Sequence, residues 1–270
     1  MPLPTSLLKY GAMRGKVQAY FVNNPLWQSL FQLKGNTRVA VFLQPLWAVA
    51  FTLYAPYLPV YMRAMGLSDF EIGAVTAAGL FVQFVAAFFG GIISEHLGRR
   101  RTVLVFDLLC WSLPMVLYFL ADNYALFLAA SLLSGLCQIS NGSWSSLLME
   151  DADRSQLVYV FTWMQIAGYI AVFFAPLAAW LVGQQGLVWG TRILLLFAAV
   201  SMTAKCLLFF FLTHDESGPA KVRFLGPGSL AQLKNFGPTV KHMWSRKSIR
   251  FIWVVMVLYQ SALTFSGTYF

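Results

Sequence analysis

Two long apolar runs of the chain are joined by a short basic loop, which reads GIISEHLGRRR at residues 91–101. The runs on either side, 71–93 and 102–121, each have roughly the 20 mostly apolar residues that a helix needs to cross a bilayer. The charges of the loop require water. This stretch therefore predicts a helical hairpin that crosses a membrane twice.

The composition places the whole chain in the same class. Of its 270 residues, 59% are hydrophobic and 11% are charged, against about 45–50% and about 25% in soluble globular proteins. So few charges cannot cover a soluble surface, and lipid must surround most of the chain. The three cysteines, Cys110, Cys137 and Cys206, lie far apart in apolar runs. We interpret them as small buried residues, with no metal site.

The same length criterion finds seven apolar runs. They lie at 39–62, 71–93, 102–121, 124–148, 157–182, 189–212 and 251–270. The polar break at 213–250 contains three Gly-Pro pairs, which end helices. We therefore predict a cytoplasmic arm over 1–38, a six-helix transmembrane bundle over 39–212, a basic cytoplasmic linker over 213–250 and a seventh transmembrane helix over 251–270.

Lys and Arg are distributed unevenly about these runs. A cytoplasmic N-terminus places sixteen of the nineteen on the cytoplasmic side, because only Arg63 and Arg192 fall outside and Lys205 lies within a run. The positive-inside rule then predicts a multi-pass protein of the plasma or bacterial inner membrane. The net charge of +9 is attributed to a face that meets anionic lipid head groups, and we predict no nucleic-acid partner.

Two local patterns predict helix geometry. In residues 24–35, Asn24 is a candidate N-cap, Pro25 a first helical residue and Gly35 a terminator. We predict a short helix in the membrane interface there, with a disordered arm as the alternative. In the first run, Pro45, Pro56 and Pro59 each remove a backbone donor and predict bends.

No pattern of an enzyme is present in the sequence. The three histidines, His96, His214 and His242, lie outside the apolar runs and lack metal-ligand spacing. A phosphate-binding sequence of the form G-x-x-x-x-G-K-[ST] is absent. We therefore predict a protein that is not an enzyme, needs no cofactor and is not driven by ATP within this chain.

The loop at 91–101 resembles the signature G-x-x-x-D-R-x-G-R-R/K of the major facilitator superfamily of transporters. Glu95 stands where Asp is usual, and His96 where Arg is usual. Six runs, a long basic loop and a further run resemble the topology of that family. The resemblance implies an all-α membrane fold, in which a six-helix bundle of two inverted three-helix repeats precedes a seventh helix. It also implies a secondary active transporter that moves a small solute by alternating access, driven by an ion gradient.

The resemblance assigns roles to charged and small residues at the cytoplasmic face. The loop would control the change between inward-open and outward-open states through the matching or related positions Gly91, Glu95, Gly98, Arg99 and Arg100. Its glycines would let helix ends approach and turn. Glu150 and Arg154 would form a charge network with the arginines. The alternatives are a tight turn that merely anchors the chain, and solvated charges.

A second family pattern is mostly lacking. Drug–proton antiporters of this superfamily tend to carry G-x-x-x-G-P-x-x-G-G in the fifth helix. In residues 171–180 the proline persists as Pro176, but every glycine is replaced. This departure counts against a typical drug antiporter.

Polar side chains form stripes at helical spacing in the runs that line the pathway in this family. Hydrogen-bonding groups are costly against lipid, so such faces turn to a cavity or to another helix. The candidates for the pathway are Tyr54, Tyr57, Gln83, Gln138, Asn141, Gln165 and Tyr169. The alternative is that these residues form hydrogen bonds between helices.

Two charges, Asp107 and Lys205, lie inside apolar runs at similar depth below the same face. We predict that they form an ion pair, because an unpaired charge inside the membrane is costly. The alternatives are separate snorkelling of the lysine and a role in carrying substrate or protons.

The resemblance covers about residues 39–270, which corresponds to the first half of a twelve-helix transporter plus one helix. We therefore expect a partial or truncated sequence, whose pathway needs the missing C-terminal half or a partner chain. The alternative function is a non-transporting membrane sensor, or a half-transporter that needs a partner. The partners predicted are the lipid bilayer and a small solute of unspecified identity.

Overall fold

The computed structural model describes residues 24–150, 156–214 and 244–269, and the regular structure in these ranges is helical. Six described helices are long and apolar enough to cross a membrane, which confirms the predicted all-α fold. We number them as spans 1 to 6: Gly35–Ala64, Asp69–Leu97, Arg99–Leu120, Tyr124–Met149, Leu157–Gln185 and Leu187–Leu212. A helix at Pro25–Gln32 precedes them, and a helix at Lys247–Tyr269 includes the described part of the seventh run, whose membrane crossing stays a prediction.

Span 1 begins at Gly35, whereas the apolar run predicted a start at residue 39. Two polar residues of its first turn, Asn36 and Thr37, are buried and bond to carbonyls at the ends of two other spans. The Asn36 amide donates to the His214 carbonyl at 2.7 Å, and the Thr37 hydroxyl donates to the Leu148 carbonyl at 3.0 Å. Hydropathy alone does not detect such a turn, because its stability comes from tertiary hydrogen bonds.

The helix before span 1 has the predicted start but a different end. Asn24 Oδ1 accepts a hydrogen bond from the Leu26 N–H at 2.9 Å, as an N-cap does. The helix ends at Gln32, and Gly35 opens span 1 instead of terminating this helix. The Trp163 indole of span 5 donates to the Leu26 carbonyl at 3.1 Å, so the helix is fixed to the bundle.

The six spans pack in a pattern that repeats after three helices. Span 1 packs against spans 5 and 6, and span 4 packs against spans 2 and 3. Spans 1 and 4 contact each other, and so do spans 3 and 6. Exchanging spans 1, 2 and 3 with 4, 5 and 6 leaves this set of contacts unchanged. Because three helices cross the membrane an odd number of times, the second set of three helices has the opposite orientation in the membrane. This is the arrangement expected of inverted three-helix repeats.

Four spans are interrupted inside the bundle. In span 4 one helix ends at Ser134 and the next begins at Cys137. Span 1 has a 3₁₀ turn at Ala55–Tyr57, which contains Pro56 and agrees with the predicted bend. Span 3 has a π-helical turn at Leu108–Ser112. In span 5 one helix ends at Val172 and the next begins at Ala175, next to Pro176.

We call the end of the bundle with Arg38 and Arg99–Arg101 the basic end, and the other end the opposite end. A buried cluster at the basic end includes Leu147, Val160 and Phe209. A second cluster at the opposite end is built around Tyr61 and Phe127, whose rings lie 5.6 Å apart. The orientation of the basic end toward the cytoplasm stays a prediction.

Spans 2 and 4 approach closely through small residues. The Ser131 hydroxyl donates to the Val75 carbonyl at 2.7 Å, one turn from Gly79. A Cβ added at Gly135 would lie 2.6 Å from the Gly79 carbonyl oxygen and 2.7 Å from Val82 Cβ. Small residues let helix backbones approach in membranes, where packing replaces the hydrophobic drive between helices.

We predict that Gly135→Ala lowers the stability of the bundle by about 1–3 kcal/mol, the usual cost of overpacking. The matched control is Gly142→Ala in the same span, where an added Cβ meets no described atom within 4 Å. That control should gain about 0.5–1 kcal/mol from the lower flexibility of alanine in a helix. Thermal unfolding in detergent compares the two, and equal midpoints would contradict the close packing.

Candidate functional site

The turn between spans 2 and 3 depends on Gly98. Its φ is +81°, in the region that glycine adopts without steric cost. Its N–H donates to the Ser94 carbonyl at 3.0 Å, and its own carbonyl accepts from the Thr102 hydroxyl at 2.9 Å. The glycine at this position of the family signature thus has a local structural cause.

Arg100 extends from this loop to the end of span 6. Its Nε donates to the Phe210 carbonyl at 2.6 Å, and its guanidinium carbon lies 4.2 Å from the centre of the Phe210 ring. The last carbonyls of a helix lack partners within the helix and carry partial negative charge, which a cation stabilises. The loop of the first repeat therefore binds the last turn of the second.

Other residues predicted to act at the basic end either differ from the expectation or lie outside the described residues. The close approach occurs at Gly90, where a Cβ would lie 3.3 Å from Ile139 Cα, and not at Gly91, where nothing described lies within 4 Å. Glu95 is exposed near the end of span 2. Arg154 and the side chain of Glu150 lie outside the described residues, so their charge network stays a prediction, as does the gating role of the loop.

A cavity of about 320 Å³ lies between spans 1 to 4. Two predicted pathway residues, Tyr54 and Gln83, are in its wall, with the hydroxyl-bearing side chains of Thr76, Tyr118 and Ser134. None of the described residues in this wall is charged. The space is therefore a largely apolar chamber with a few hydrogen-bonding groups, which is the usual character of a small-molecule site.

A second cavity, of about 200 Å³, lies between spans 1, 3, 4 and 6. Its wall consists of three tryptophans, two amides and the two membrane charges: Trp47, Trp111, Trp144, Gln44, Asn141, Asp107 and Lys205. We call it the polar cavity, and the larger one the apolar cavity. Asn141, a predicted pathway residue, is exposed.

The predicted contact between the two membrane charges is present in the wall of the polar cavity. Lys205 Nζ lies 2.8 Å from Asp107 Oδ2, and the two side chains are 10% and 6% exposed. Beside them, the Cys206 thiol donates to the Leu104 carbonyl at 3.4 Å. Lys205 is thus paired inside the bundle and does not extend separately to the head groups.

Aromatic side chains separate the two cavities. Trp111 is in both walls and belongs to the π-helical turn of span 3. Its ring centre lies 5.2 Å from that of Trp47, which stacks on Phe51 at 5.1 Å. π-Helical turns occur often at functional sites, and no sequence pattern indicated this one.

The remaining polar candidates divide between the two interpretations. Tyr57, Gln138, Gln165 and Tyr169 are not in the walls of these two cavities, and the last two are exposed on span 5. Tyr61 of span 1 and Ser131 of span 4 follow the same helical spacing as the candidates on those spans, and they bond to carbonyls of other spans. The stripes therefore include hydrogen bonds between helices, and a pathway role for the four residues stays a prediction.

Sequence reasoning missed a contact at the opposite end. Arg192, near the start of span 6, donates from Nε to the Tyr61 hydroxyl at 3.1 Å and from a terminal nitrogen to the Ala121 carbonyl at 3.4 Å. Ala121 follows the last helical residue of span 3. Arg192 and Arg100 thus play reciprocal parts, because each lies near the start of one span and binds the end of the other.

Comparison with known proteins bears on the same stretch of chain. The sequence profile of the Major Facilitator Superfamily matches residues 40–270. Over 130 residues the chain is 31% identical to the uncharacterized MFS-type transporter YqjV of Bacillus subtilis, in a match that covers 47% of this chain and 32% of that protein. Over 84 residues it is 25% identical to the quinolone resistance protein NorA of Staphylococcus aureus, in a match that covers 31% of this chain and 21% of that protein. The matches thus cover about a third of these relatives or less.

We predict that Asp107→Asn and Lys205→Met each destabilise the bundle by about 3–5 kcal/mol, because each leaves a buried partner uncompensated. The double variant should recover most of that loss. Equilibrium unfolding in mixed micelles gives the coupling energy of the pair.

The exposed pair of Arg63 and Asp69 is the matched control. It has the same separation of 2.8 Å, but its side chains are 70% and 75% exposed, so its coupling should stay below about 1 kcal/mol. Additive effects at Asp107 and Lys205 would contradict a structural ion pair.

A cysteine at Asn141 should react with a water-soluble thiol reagent once Cys137 is replaced by serine, because Asn141 is exposed. A cysteine at Ile139, which is 4% exposed on the other side of the same helix, should stay unlabelled. Labelling in intact cells and in inverted vesicles measures both. Position 138, which is half-buried, should react more slowly than 141, and inertness of both positions from both sides would favour hydrogen bonding between helices.

Proposed function

The chain belongs to the major facilitator superfamily, and from this membership we propose that it forms the first helix bundle of a secondary active transporter. The transporter moves a small solute by alternating access, and an ion gradient supplies the energy. We further propose that the basic end faces the cytoplasm, in line with the distribution of Lys and Arg.

The apolar cavity is the observation that carries this proposal. A protein that only anchors in the membrane gains nothing from a cavity of about 320 Å³, since every unfilled space forfeits packing contacts. A transporter requires such a space, with a few polar groups that orient the solute. Tyr54 and Gln83, which the polar stripes single out, are in its wall.

The contacts between spans 3 and 6 support movement of the bundle as one body. Arg100 and Arg192 join the two repeats at opposite ends, and the Asp107–Lys205 pair joins them between. Alternating access in such transporters is largely the rocking of one rigid bundle against another. A half-transporter that needs a partner chain is the second candidate, because one bundle alone has no opposing body.

We predict that Glu95→Ala and Arg99→Ala, in the complete gene product, reduce transport to about a tenth of the parent at equal surface amounts. A tenfold loss corresponds to a decrease of about 1.4 kcal/mol in the free energy by which the loop stabilises one of the two conformations. The solute is first identified by mass spectrometry of vesicles loaded with a metabolite extract, and its flux is then measured in each variant.

Arg101→Ala is the control, since Arg101 is an exposed neighbour of the same charge in the same loop. It should transport like the parent. Parental flux in both the Glu95 and the Arg99 variant would show that the loop only anchors the chain. Absence of flux for every solute in the parent would contradict the proposed function itself.

A further inference from the structure

The short helix at Pro25–Gln32 has one face against the bundle and one face outside it. The bundle holds the inner face, because the Trp163 indole donates to the Leu26 carbonyl at 3.1 Å. On the outer face Phe31 is 84% exposed, and Trp27, one turn earlier, is 36% exposed. Aromatic side chains on one face of a short helix are suited to the boundary between head groups and acyl chains.

Two cations follow this helix directly along the chain. Lys34 and Arg38 are both exposed, and the Arg38 N–H donates to the Lys34 carbonyl at 3.2 Å, so the two residues lie one helical turn apart. Neither forms an ion pair with a described residue. Like charges at this spacing repel each other, and an anion bound beside them would remove that repulsion.

The ring beneath Arg38 indicates the level at which this cation lies. The guanidinium carbon of Arg38 is 5.9 Å from the centre of the Phe42 ring. Phe42 is 57% exposed although it belongs to a membrane span, and such a ring is suited to contact with acyl chains. Arg38, one turn nearer the basic end, is then at the level of the lipid head groups, where the long side chain of arginine is favourable.

The charge of this part of the chain has a single sign. Residues 1–38 contain five Lys and Arg and no Asp or Glu, and the first acidic residue of the chain is Asp69, at the opposite end of the bundle. Each Lys or Arg near a membrane surface adds to its attraction for anionic lipids. Exposed aromatic rings beside unpaired cations therefore complement an anionic phospholipid in both its acyl and its head-group parts.

The residues between the two cations hold the ends of other spans. The Asn36 amide bonds both to the carbonyl and to the N–H of His214, at 2.7 and 2.8 Å. The Thr37 hydroxyl donates to the Leu148 carbonyl at 3.0 Å. A ligand that fixes the first turn of span 1 from outside therefore also fixes the ends of spans 4 and 6.

We propose that Trp27, Phe31, Lys34 and Arg38 form a docking surface for an anionic phospholipid, and we call it the anchoring surface. The rings lie among the acyl chains, and the two cations bind the head group. The bound lipid stabilises the basic end of the bundle through the first turn of span 1. This proposal is independent of the proposed function, since it requires neither transport nor a given orientation in the membrane.

Lipid selectivity at the anchoring surface is measured on the purified chain in nanodiscs of phosphatidylcholine and phosphatidylglycerol. A bimane fluorophore is attached at Gln32→Cys, an exposed position next to Phe31. The native cysteines are buried, so the parent should take up no label. One of the two lipids carries brominated acyl chains, which quench a nearby fluorophore. At equal mole fractions, brominated phosphatidylglycerol should quench about twofold more strongly than brominated phosphatidylcholine, or more.

A second reporter position shows whether this selectivity is local. Gln184→Cys is the matched position, because Gln184 is also an exposed glutamine in the last turn of a helix, at the opposite end of span 5. The two brominated lipids should quench a bimane there equally. Quenching at this position in every variant also shows that the variant is folded and inserted.

Charge variants locate the head-group contact. Lys34→Gln with Arg38→Gln should make the two lipids equal quenchers at Gln32→Cys. Arg246→Gln with Arg250→Gln is the matched control, since these two arginines are also exposed and one turn apart, and it should keep the selectivity.

Thermal unfolding in detergent tests the stabilisation of the basic end. Added phosphatidylglycerol should raise the midpoint of the parent by about 2–4 °C more than phosphatidylcholine does. In the variant that lacks both Lys34 and Arg38, the two lipids should have the same effect. Equal midpoints in the parent would contradict the stabilising role of the lipid.

Several quenching results would overturn the proposal. Equal quenching by the two lipids in the parent would show that the surface meets the membrane without selecting charge. Absence of quenching by either lipid would show that protein, such as a second copy of the chain, covers the surface. Selectivity that survives the loss of Lys34 and Arg38 would place the anionic lipid elsewhere, and selectivity lost in the Arg246 and Arg250 control would reduce it to a general attraction by net charge.

Discussion

Polar contacts between the antiparallel spans 3 and 6 fix the arrangement of the whole bundle. Lipid tails are as apolar as the helices, so the hydrophobic effect does not decide which helices become neighbours. Spans 3 and 6 are held together as neighbours by polar contacts: Arg100 at one end, the Asp107–Lys205 pair between the ends and Arg192 at the other end. Since the two spans belong to different repeats, these contacts also set how the repeats face each other.

The two arginines illustrate how an inverted repeat uses the same solution twice. Every helix ends with carbonyls that have no partner within the helix, and near the membrane an unsatisfied carbonyl is costly. Arg100 and Arg192 each lie close to the start of a span, beside the end of its antiparallel neighbour. Each is also close to an aromatic ring, Phe210 and Trp189 respectively. The symmetry of the topology thus reappears in the chemistry of the helix ends.

The sequence predicted the features that depend on local physics. Run length identified the spans, and the Gly98 turn followed from the signature. Among contacts between distant residues, the Asp107–Lys205 pair was predictable, because two charges at similar depth in apolar runs are costly unless they pair. Other long-range features were not predictable. The early start of span 1 depends on carbonyls at 148 and 214, and Ser131 bonds to another helix although its spacing is the same as that of the cavity residues. Spacing shows that a face is polar, but only packing decides what that face meets.

The buried ion pair is poorly explained by stability alone. Replacing such a pair by well-packed apolar residues is often neutral or stabilising by about 1–4 kcal/mol, and the surrounding tryptophans show that apolar packing is available here. The pair does, however, give an internal space strong donors and acceptors while keeping its net charge at zero. The π-helical turn that follows Asp107 adds to the same arrangement, because it contains Trp111, the ring shared by both cavities. The irregular helix and the costly charges therefore come together in one place, the wall of the polar cavity.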